Sequence, residues 1–313
     1  MEPLVSVVIP TRGRPLLVRK AVASALAQTL QHIEVIVVID GTDAETQRSL
    51  STITDPRLRV LEHSVSKGCI AARTTGIHAA QAKWIAHLDD DDEWMPQKLE
   101  RQLAAVTQSA YLFPIATCYA EVQFSHAREV FPHRMPQPGE PLSEYLFVRN
   151  TLFQGEGLIQ SSTVLTAKEL YISVPYASEI HEDWAWLLNA IAQEGVGIEF
   201  VPETLSVWNL EALRPSLSRS IKWQESRDWI QGHRHLVTPR AYSSFLLAEV
   251  SARAAAAQAW QAFLPLLWEA LRLGQPTVKD VGLFCGMWLV PPQVRGWLRA
   301  NLTQPRRVAT SEL

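Results

Sequence analysis

The sequence has few cysteines, no excess of basic residues and no long apolar run. Its three cysteines, Cys69, Cys118 and Cys285, are far apart and form no Cys-x-x-Cys pair, which argues against a zinc site or a disulfide framework and favours a reducing compartment. The formal net charge of -3 gives no sign of the basic surface that nucleic-acid-binding proteins carry. The longest apolar run near the C-terminus, 281–292, is too short to span a bilayer.

The N-terminus also lacks a basic segment and a cleavage site, so we expect no signal peptide and predict a cytoplasmic protein. The 313 residues are 47% hydrophobic and 19% charged, which is enough apolar material for a sizeable core. These values suit one large α/β domain, or one such domain with an appended helical part.

Short apolar runs rich in β-branched residues alternate with helical spacing over the first part of the chain. This alternation predicts βαβ units, and therefore an α/β fold with a mostly parallel central sheet and helices on both faces. We expect this domain to cover 1–215 and a C-terminal helical region to cover 216–313. The strands are predicted at 5–10, 33–39, 58–61, 84–88, 160–165, 197–201 and 204–208.

In parallel sheets of this kind, ligands bind outside the carboxyl ends of the strands. The predicted strand ends carry polar residues: Thr11 and Arg12 follow the first, Asp40 follows the second, and 89–92 follow the fourth. The sequence therefore predicts a binding site at this edge of the sheet.

The stretch WIAHLDDDDEW, 84–94, ends an apolar run in consecutive aspartates. Adjacent carboxylates repel one another, and a hard divalent cation, which prefers oxygen ligands, would relieve that repulsion. Magnesium usually takes only one or two protein carboxylates and completes its shell with phosphates and water. The competing interpretation is a solvated acidic turn that begins a helix, and the residues by themselves leave both open.

Further stretches occur with this one in a characteristic order over roughly residues 1–210. They read SVVIPTRGRPLLVRKAVASALAQT, IEVIVVIDGTDAET, SKGCIAARTTGIHAAQAKWIAHLDDDDEWMPQKLE and HEDWAWLLNAIAQEG. Together they resemble family 2 glycosyltransferases of the GT-A fold, with LDDDDEWMPQKLE as the most specific piece.

The resemblance implies roles for individual residues. Asp40 would accept a hydrogen bond from the nucleobase, Asp89 would lie near the ribose, and Asp91 would hold a manganese or magnesium ion that bridges the diphosphate. Arg73 would reach the diphosphate. The competing interpretations are a turn residue before a glycine for Asp40 and a solvated helix face for Arg73. The nucleotide-binding residues implied are Pro10, Thr11, Arg12, Asp40, Arg73, Asp89 and Asp90, with Asp91 as the metal ligand.

The resemblance further implies that Asp183 is the general base that deprotonates the acceptor hydroxyl. Local sequence alone favours a simpler interpretation, an acidic pair stabilised by the dipole at a helix N-terminus. His181, Glu182 and Trp184 are the neighbouring candidates for contact with the acceptor, although a lone loop histidine is more often simply exposed.

The sequence departs from the family pattern around the nucleotide. Arg12-Gly13 stands where the family often has tyrosine and asparagine, and Ile39-Asp40 stands where it often has two aspartates. Lys67 and Thr74 replace expected asparagines. These departures bear on the identity of the nucleobase more than on the fold. The Gln-x-x-Arg-Trp motif of processive synthases is not met, because Asp228 follows Arg227.

The sequence therefore predicts a metal-dependent, inverting transferase that moves one sugar from a nucleotide-sugar donor to a saccharide or lipid-linked acceptor in polysaccharide or glycoconjugate assembly. Two alternatives stay open. A sugar-phosphate nucleotidyltransferase would normally carry a glycine-rich phosphate loop, and 11–15 contains a single glycine. The other alternative is a catalytically inactive GT-A protein that binds a sugar or a partner.

The C-terminal region has an apolar set followed by arginines. An interfacial helix at the inner face of a membrane that holds a lipid-linked acceptor is one interpretation. An amphipathic helix packed on the catalytic domain or in a homodimer is the interpretation that we favour. The residues concerned are Val281, Phe284, Met287, Trp288, Val290, Arg295, Arg299, Arg306 and Arg307.

Overall fold

The computed structural model describes residues 2–123, 128–151, 155–177, 180–209, 222–290 and 294. The arginines predicted to follow the C-terminal apolar set, Arg295 to Arg307, lie outside these residues. The chain divides into two compact units, which are described separately. The first unit comprises Met1–Met135 with Ile159–Arg214, and the second comprises Pro136–Leu158 with Pro215–Leu313. The domain boundary predicted at residue 215 stays a prediction, and 136–158 group with the C-terminal segment.

The first unit contains one sheet with helices. Its strands are β1 (Val5–Thr11), β2 (Ile33–Ile39), β3 (Leu58–Glu62), β4 (Trp84–His87), β5 (Glu93–Trp94), β6 (Phe113–Gln123), β7 (Arg128–Phe131), β8 (Leu165–Ala167) and β9 (Val196–Asn209). Its helices are α1 (Pro15–Leu26), α2 (Ala44–Ser51), α3 (Cys69–Ala79), α4 (Lys98–Gln108), α6 (Lys168–Ser173) and α7 (Glu182–Ile191), while α5 (Leu142–Phe147) belongs to the second unit.

The sheet runs in the order β3-β2-β1-β4-β8-β6-β9-β5, and β7 pairs with β6. Pairing is parallel from β3 through β2 and β1 to β4. It is antiparallel from β4 to β8 and from β8 to β6, so the parallel strands predicted from the sequence form one half of a mixed sheet. The α/β fold class is confirmed.

Burial explains why the first strands form. All seven residues of β1 and all seven of β2 are buried, as expected for strands covered on both faces. Gly76 lets α3 approach β1, because a Cβ at this position would lie 2.4 Å from a Cγ of Val8. This close approach packs α3, which carries Arg73 about one turn before Gly76, against the middle of β1.

Two strand predictions were wrong in detail. The stretch predicted as a strand at 160–165 forms a single 3-10 turn, Ser161–Thr163, before the short strand β8. The Gln160 side chain accepts a hydrogen bond from the Ser162 backbone N–H, and this local contact competes with strand pairing. The two strands predicted between 197 and 208 are one continuous strand, β9.

The second unit is helical in its described residues after 222. Its later helices are α8 (Trp223–Gly232), α9 (Pro239–Phe245), α10 (Ser251–Ala256), α11 (Phe263–Leu273) and α12 (Val278–Leu289), with a π-helical turn at Leu246–Val250. Phe284, Met287 and Trp288 of α12 are buried, and the Trp288 indole donates a hydrogen bond to Ser251. The apolar face of α12 is therefore packed inside this unit. Among the described residues, no helix combines the length and apolar character needed to cross a membrane.

Candidate active site

The aspartates that follow β4 alternate between buried and partly exposed positions. Asp90 and Asp92 are buried, whereas the side chains of Asp89 and Asp91 are each 27% exposed. The run is therefore two pairs with different surroundings, and only one pair is open to a ligand.

The buried pair is held by side chains from distant segments. Asp90 accepts hydrogen bonds from the Thr11 hydroxyl at 2.7 Å and from the Arg14 guanidinium at 2.8 Å. Asp92 accepts from the Ser162 hydroxyl and the Gln160 amide, both at 2.7 Å. These contacts satisfy both carboxylates internally, so Asp90 and Asp92 anchor the turn.

Asp91 is the least compensated carboxylate of the run. Its carboxylate contacts the Arg14 guanidinium, which lies 3.2 Å from one carboxylate oxygen. Burial, together with repulsion from Asp89 and Asp90, raises the pKa of Asp91 to about 6. A cation placed beside Asp91 would therefore relieve a local excess of negative charge.

The oxygen-rich surroundings of Asp91 fit a hard divalent cation. Within the part of the chain that the structure describes, no group of three or more histidine, cysteine, aspartate or glutamate side chains forms a ready-made metal cage. This is compatible with magnesium, which is often held by one or two carboxylates and completed by substrate phosphates. Asp91, as predicted from the sequence, is the residue that we expect to hold the ion.

Arg73 of α3 connects the aspartate turn to the start of α7. Only 2% of the residue is exposed, and its guanidinium donates hydrogen bonds to Asp89 at 2.7 Å, to Ser161 at 3.1 Å and to Glu182. The same guanidinium lies 3.5 Å from Asp183. The solvated-face interpretation of Arg73 was wrong, because one buried cation compensates three carboxylates. Its predicted contact with a diphosphate stays a prediction.

The acidic pair Glu182-Asp183 opens α7. His181, the residue before the helix, has a positive φ of 51°, which turns the chain into the first helical turn. Burial and the neighbouring carboxylates outweigh Arg73 and raise the pKa of both side chains, that of Glu182 to about 7. The Asp183 carboxylate also accepts a hydrogen bond from the Ser161 hydroxyl at 2.6 Å.

The remaining acceptor-side candidates lie beside this pair. The rings of His181 and Trp184 stack, with centroids 4.9 Å apart. The structure thus brings His181, Glu182, Asp183 and Trp184 to one helix end. Arg73 links this helix end to the aspartate turn, because it contacts Asp89, Glu182 and Asp183. Their contact with an acceptor stays a prediction.

Asp40 at the end of β2 is 5% exposed and fully engaged. One carboxylate oxygen accepts from the His63 ring and the Lys67 backbone N–H, and the other accepts from the Ser66 hydroxyl and the Gly68 backbone N–H. Burial alone would raise the pKa of Asp40, but these hydrogen bonds lower it to about 2. In this conformation Asp40 fixes the segment that leads into α3, and its contact with a nucleobase stays a prediction.

A cleft of about 420 Å³ opens beside Asp40. It is lined by Arg12, Gly13, the segment 40–43 and the segment 64–66. Pro10 and Thr11 are buried behind this lining, and the Thr11 hydroxyl is used by Asp90. Arg12 is therefore the member of the predicted Pro10-Thr11-Arg12 stretch that reaches the cleft.

Sequence reasoning missed several residues that build the site: Arg14, Gln160, Ser161, Ser162 and Asn209. The Asn209 amide donates a hydrogen bond to the Asp91 carbonyl oxygen at 2.8 Å. The polar run Gln-Ser-Ser at 160–162 was a signal, because polar residues are unusual inside a buried strand. No local signal distinguishes Arg14 or Asn209 from surface residues.

Comparison with known proteins gives matches at the levels of family, sequence and fold. Residues 6–156 match the family model described as glycosyl transferase family 2. The Escherichia coli UDP-Glc:alpha-D-GlcNAc-diphosphoundecaprenol beta-1,3-glucosyltransferase WfaP is 30% identical over 121 residues, which cover 39% of this chain and 48% of the relative. The succinoglycan biosynthesis protein ExoO of Rhizobium meliloti (strain 1021) is 40% identical over 84 residues, 27% of this chain and 24% of the relative. The chain spans about half the length of the first curated relatives that it matches.

The fold has solved counterparts. The crystal structure of S. aureus TarS 1-349 in complex with UDP-GlcNAc superposes with a TM-score of 0.55 at 14% identity, covering 92% of this chain and 90% of TarS 1-349. At that identity the likeness concerns the fold alone, and it confirms the GT-A architecture predicted from the sequence.

Proposed function

From the match of residues 6–156 to the glycosyl transferase family 2 model, we propose that the chain transfers one sugar from a nucleotide sugar to an acceptor hydroxyl, with inversion and with the help of a divalent cation. The resemblance stated from the sequence is confirmed for the family. The reaction, its metal and its stereochemistry are proposals.

One observation supports the proposal most strongly. Arg73 joins Asp89, next to the expected metal ligand Asp91, with Asp183, the expected base. An inverting glycosyltransferase needs the base and the diphosphate site on opposite sides of the anomeric carbon, separated by the length of one sugar, because the acceptor hydroxyl attacks from the face opposite the leaving diphosphate. An isolated acidic turn would not require a buried guanidinium that also bonds a distant helix. Arg73 does so, because it bonds Glu182 of α7, 109 positions after it in the chain.

The proposed chemistry assigns one role to each group. The Asp183 carboxylate accepts the proton of the acceptor hydroxyl, the hydroxyl oxygen bonds to the anomeric carbon, and the bond from that carbon to the nucleoside diphosphate breaks. A single displacement from the opposite face inverts the anomeric centre. A divalent cation at Asp91 would neutralise the charge of the diphosphate. Arg73 and Ser161 hold Asp183 in place.

The relatives support a substrate class. TarS was solved with UDP-GlcNAc, and WfaP is named for a UDP-Glc donor and a diphosphoundecaprenol-linked acceptor. The open cleft beside Asp40 has room for a nucleoside. We therefore assign a UDP-hexose or UDP-N-acetylhexosamine as donor, and a polyprenyl-diphosphate-linked saccharide as acceptor.

The test is a thermal-shift panel of UDP, GDP, ADP and TDP, each with and without manganese. A transfer assay follows, with nucleotide sugars that carry the nucleobase giving the largest shift. Specific binding should raise Tm, because a ligand that binds only the folded state stabilises it. We expect UDP with manganese to give the largest shift, and UDP-sugar turnover to release UDP. Equal shifts with and without manganese would contradict the metal, and release of pyrophosphate from UTP and a sugar phosphate would contradict the transferase.

A further inference from the structure

His87, the last residue of β4, is buried in an unusual way. It is 1% exposed, and neither ring nitrogen has a hydrogen-bond partner among the described residues. Aromatic rings fix its position: Tyr171 lies edge-on at 4.8 Å between centroids and Tyr176 at 6.0 Å. A buried polar group without a partner costs free energy, so two on one ring require an explanation.

The ring faces a small cavity behind the proposed base. His87, Ser161, Tyr171, Tyr176 and Asp183 contribute to its lining, together with apolar side chains. The space holds about one water molecule, and its lining offers the polar partners that a buried water needs. The cavity therefore leaves a gap about the size of one water molecule between the His87 imidazole and the Asp183 carboxylate.

We propose that His87 is a positioning residue for Asp183, acting through one buried water that donates one hydrogen to the Asp183 carboxylate and the other to a ring nitrogen of His87. The inference rests on the proposed function, because it gives His87 a role only if Asp183 is the base. Ser161 holds Asp183 from one side at 2.6 Å, and the water holds it from the cavity.

The charges around both groups are compatible with this arrangement. Burial, Arg73 and Lys98 hold the pKa of His87 well below its usual range, so the ring is neutral and has a nitrogen that accepts a hydrogen bond. The charge of Asp183 interacts with Arg73 of α3, Asp89 of the aspartate turn and Glu182 of its own helix, and with the Tyr171 and Tyr176 hydroxyls. A hydrogen bond to the ionised form of Asp183 offsets part of the repulsion from Asp89.

The first test compares His87→Phe with the wild type in the dependence of kcat on pH. Phenylalanine keeps the aromatic packing and removes both nitrogens. We expect kcat near neutral pH to fall roughly tenfold, the acid limb to move up by about one pH unit, and KM for the donor to stay unchanged. His87→Gln restores a hydrogen-bonding group and should recover part of both effects.

Val164→Ala is the matched control, since it disturbs the apolar lining of the same cavity without removing a polar group. It should lower Tm and leave the acid limb in place. Coincident profiles for His87→Phe and the wild type, or an equal shift in Val164→Ala, would overturn the proposal.

A second test does not depend on turnover. A high-resolution crystal structure should show one ordered water between His87 and Asp183 in the wild type, and no such water in His87→Phe. A dry cavity in the wild type would overturn the inference even if sugar transfer is observed. Absence of transfer with every nucleotide sugar, with the water in place, would instead overturn the proposed function and with it the role of His87 in catalysis.

Discussion

The Ser161 hydroxyl donates a hydrogen bond to the Asp183 carboxylate at 2.6 Å. Ser161 lies in the 3-10 turn that precedes β8, and its neighbour Ser162 bonds Asp92 of the aspartate turn. One short turn therefore ties the proposed base to the expected metal-binding segment. This link makes the relative position of the two groups a property of the fold, and it leads to predictions that can be measured.

Replacement of the base should separate binding from chemistry. We expect Asp183→Asn to lower kcat by roughly 100-fold to 10,000-fold, because the amide accepts no proton from the acceptor. Affinity for UDP with manganese should change little, since the nucleotide cleft is formed by other segments. The measurement is turnover alongside calorimetric titration of UDP, with the exposed Glu194→Gln as the control. Retained turnover in Asp183→Asn would remove the assignment.

Glu182 should make the protein less stable as the pH rises toward neutrality. Its pKa is raised from the ordinary value of 4.5 to about 7, so between these values the folded state holds a proton that the unfolded chain has lost. Unfolding then releases a proton, and the free energy of unfolding falls as pH rises, by on the order of 1–3 kcal/mol across the interval.

Denaturation of the wild type and of Glu182→Gln in a pH series checks this prediction. The variant has no titrating group at this position, so its stability should fall less steeply between pH 4.5 and about 7. Parallel curves would show that Arg73 keeps Glu182 ionised throughout.

Asp40 should stabilise the protein in the opposite pH direction. Its folded pKa is lowered to about 2 from 3.8, so its contribution is complete above the unfolded value and is lost as pH falls through the folded value. We expect Asp40→Asn to lower the free energy of unfolding at neutral pH by about 2 kcal/mol, because the backbone N–H groups of Lys67 and Gly68 lose a charged acceptor. Asp228→Asn, at an exposed position, is the control, and an equal loss in both variants would contradict the prediction.

Arg14 should weaken the binding of a cation at Asp91. Its guanidinium lies 3.2 Å from the Asp91 carboxylate and adds positive charge where the metal is expected. Arg14→Gln should therefore raise the affinity for manganese, measured by calorimetry without nucleotide, by roughly tenfold. Arg19→Gln is the control, because it makes the same change in net charge at a residue of α1 that bonds Ser49 and Thr52. It should leave the affinity for manganese unaltered. Weaker binding in Arg14→Gln would show that Arg14 is needed to hold the aspartate turn.

The sequence was a good guide where a residue's environment is set by its neighbours along the chain. The runs at β1 and β2 are mostly β-branched and apolar, which is typical of strands buried on both faces, so their place in a parallel sheet could be predicted. The segment at 160–165 was misread because its polar residues form a turn whose partners, Asp89 and Asp92, are about 70 positions away. Periodicity carries no information about such contacts.

The amino-acid order by itself determined the family resemblance, the alternation of strands and helices, and the location of acidic residues at strand ends, because these depend on local spacing of apolar and polar side chains. Only the tertiary structure decided which of the consecutive aspartates are buried and which are partly exposed. It also decided that both Asp40 oxygens accept hydrogen bonds, while the His87 ring has no hydrogen-bond partner in the described part of the chain. Those outcomes depend on which donors fold against each carboxylate from distant segments, and burial multiplies the energetic effect of each such contact.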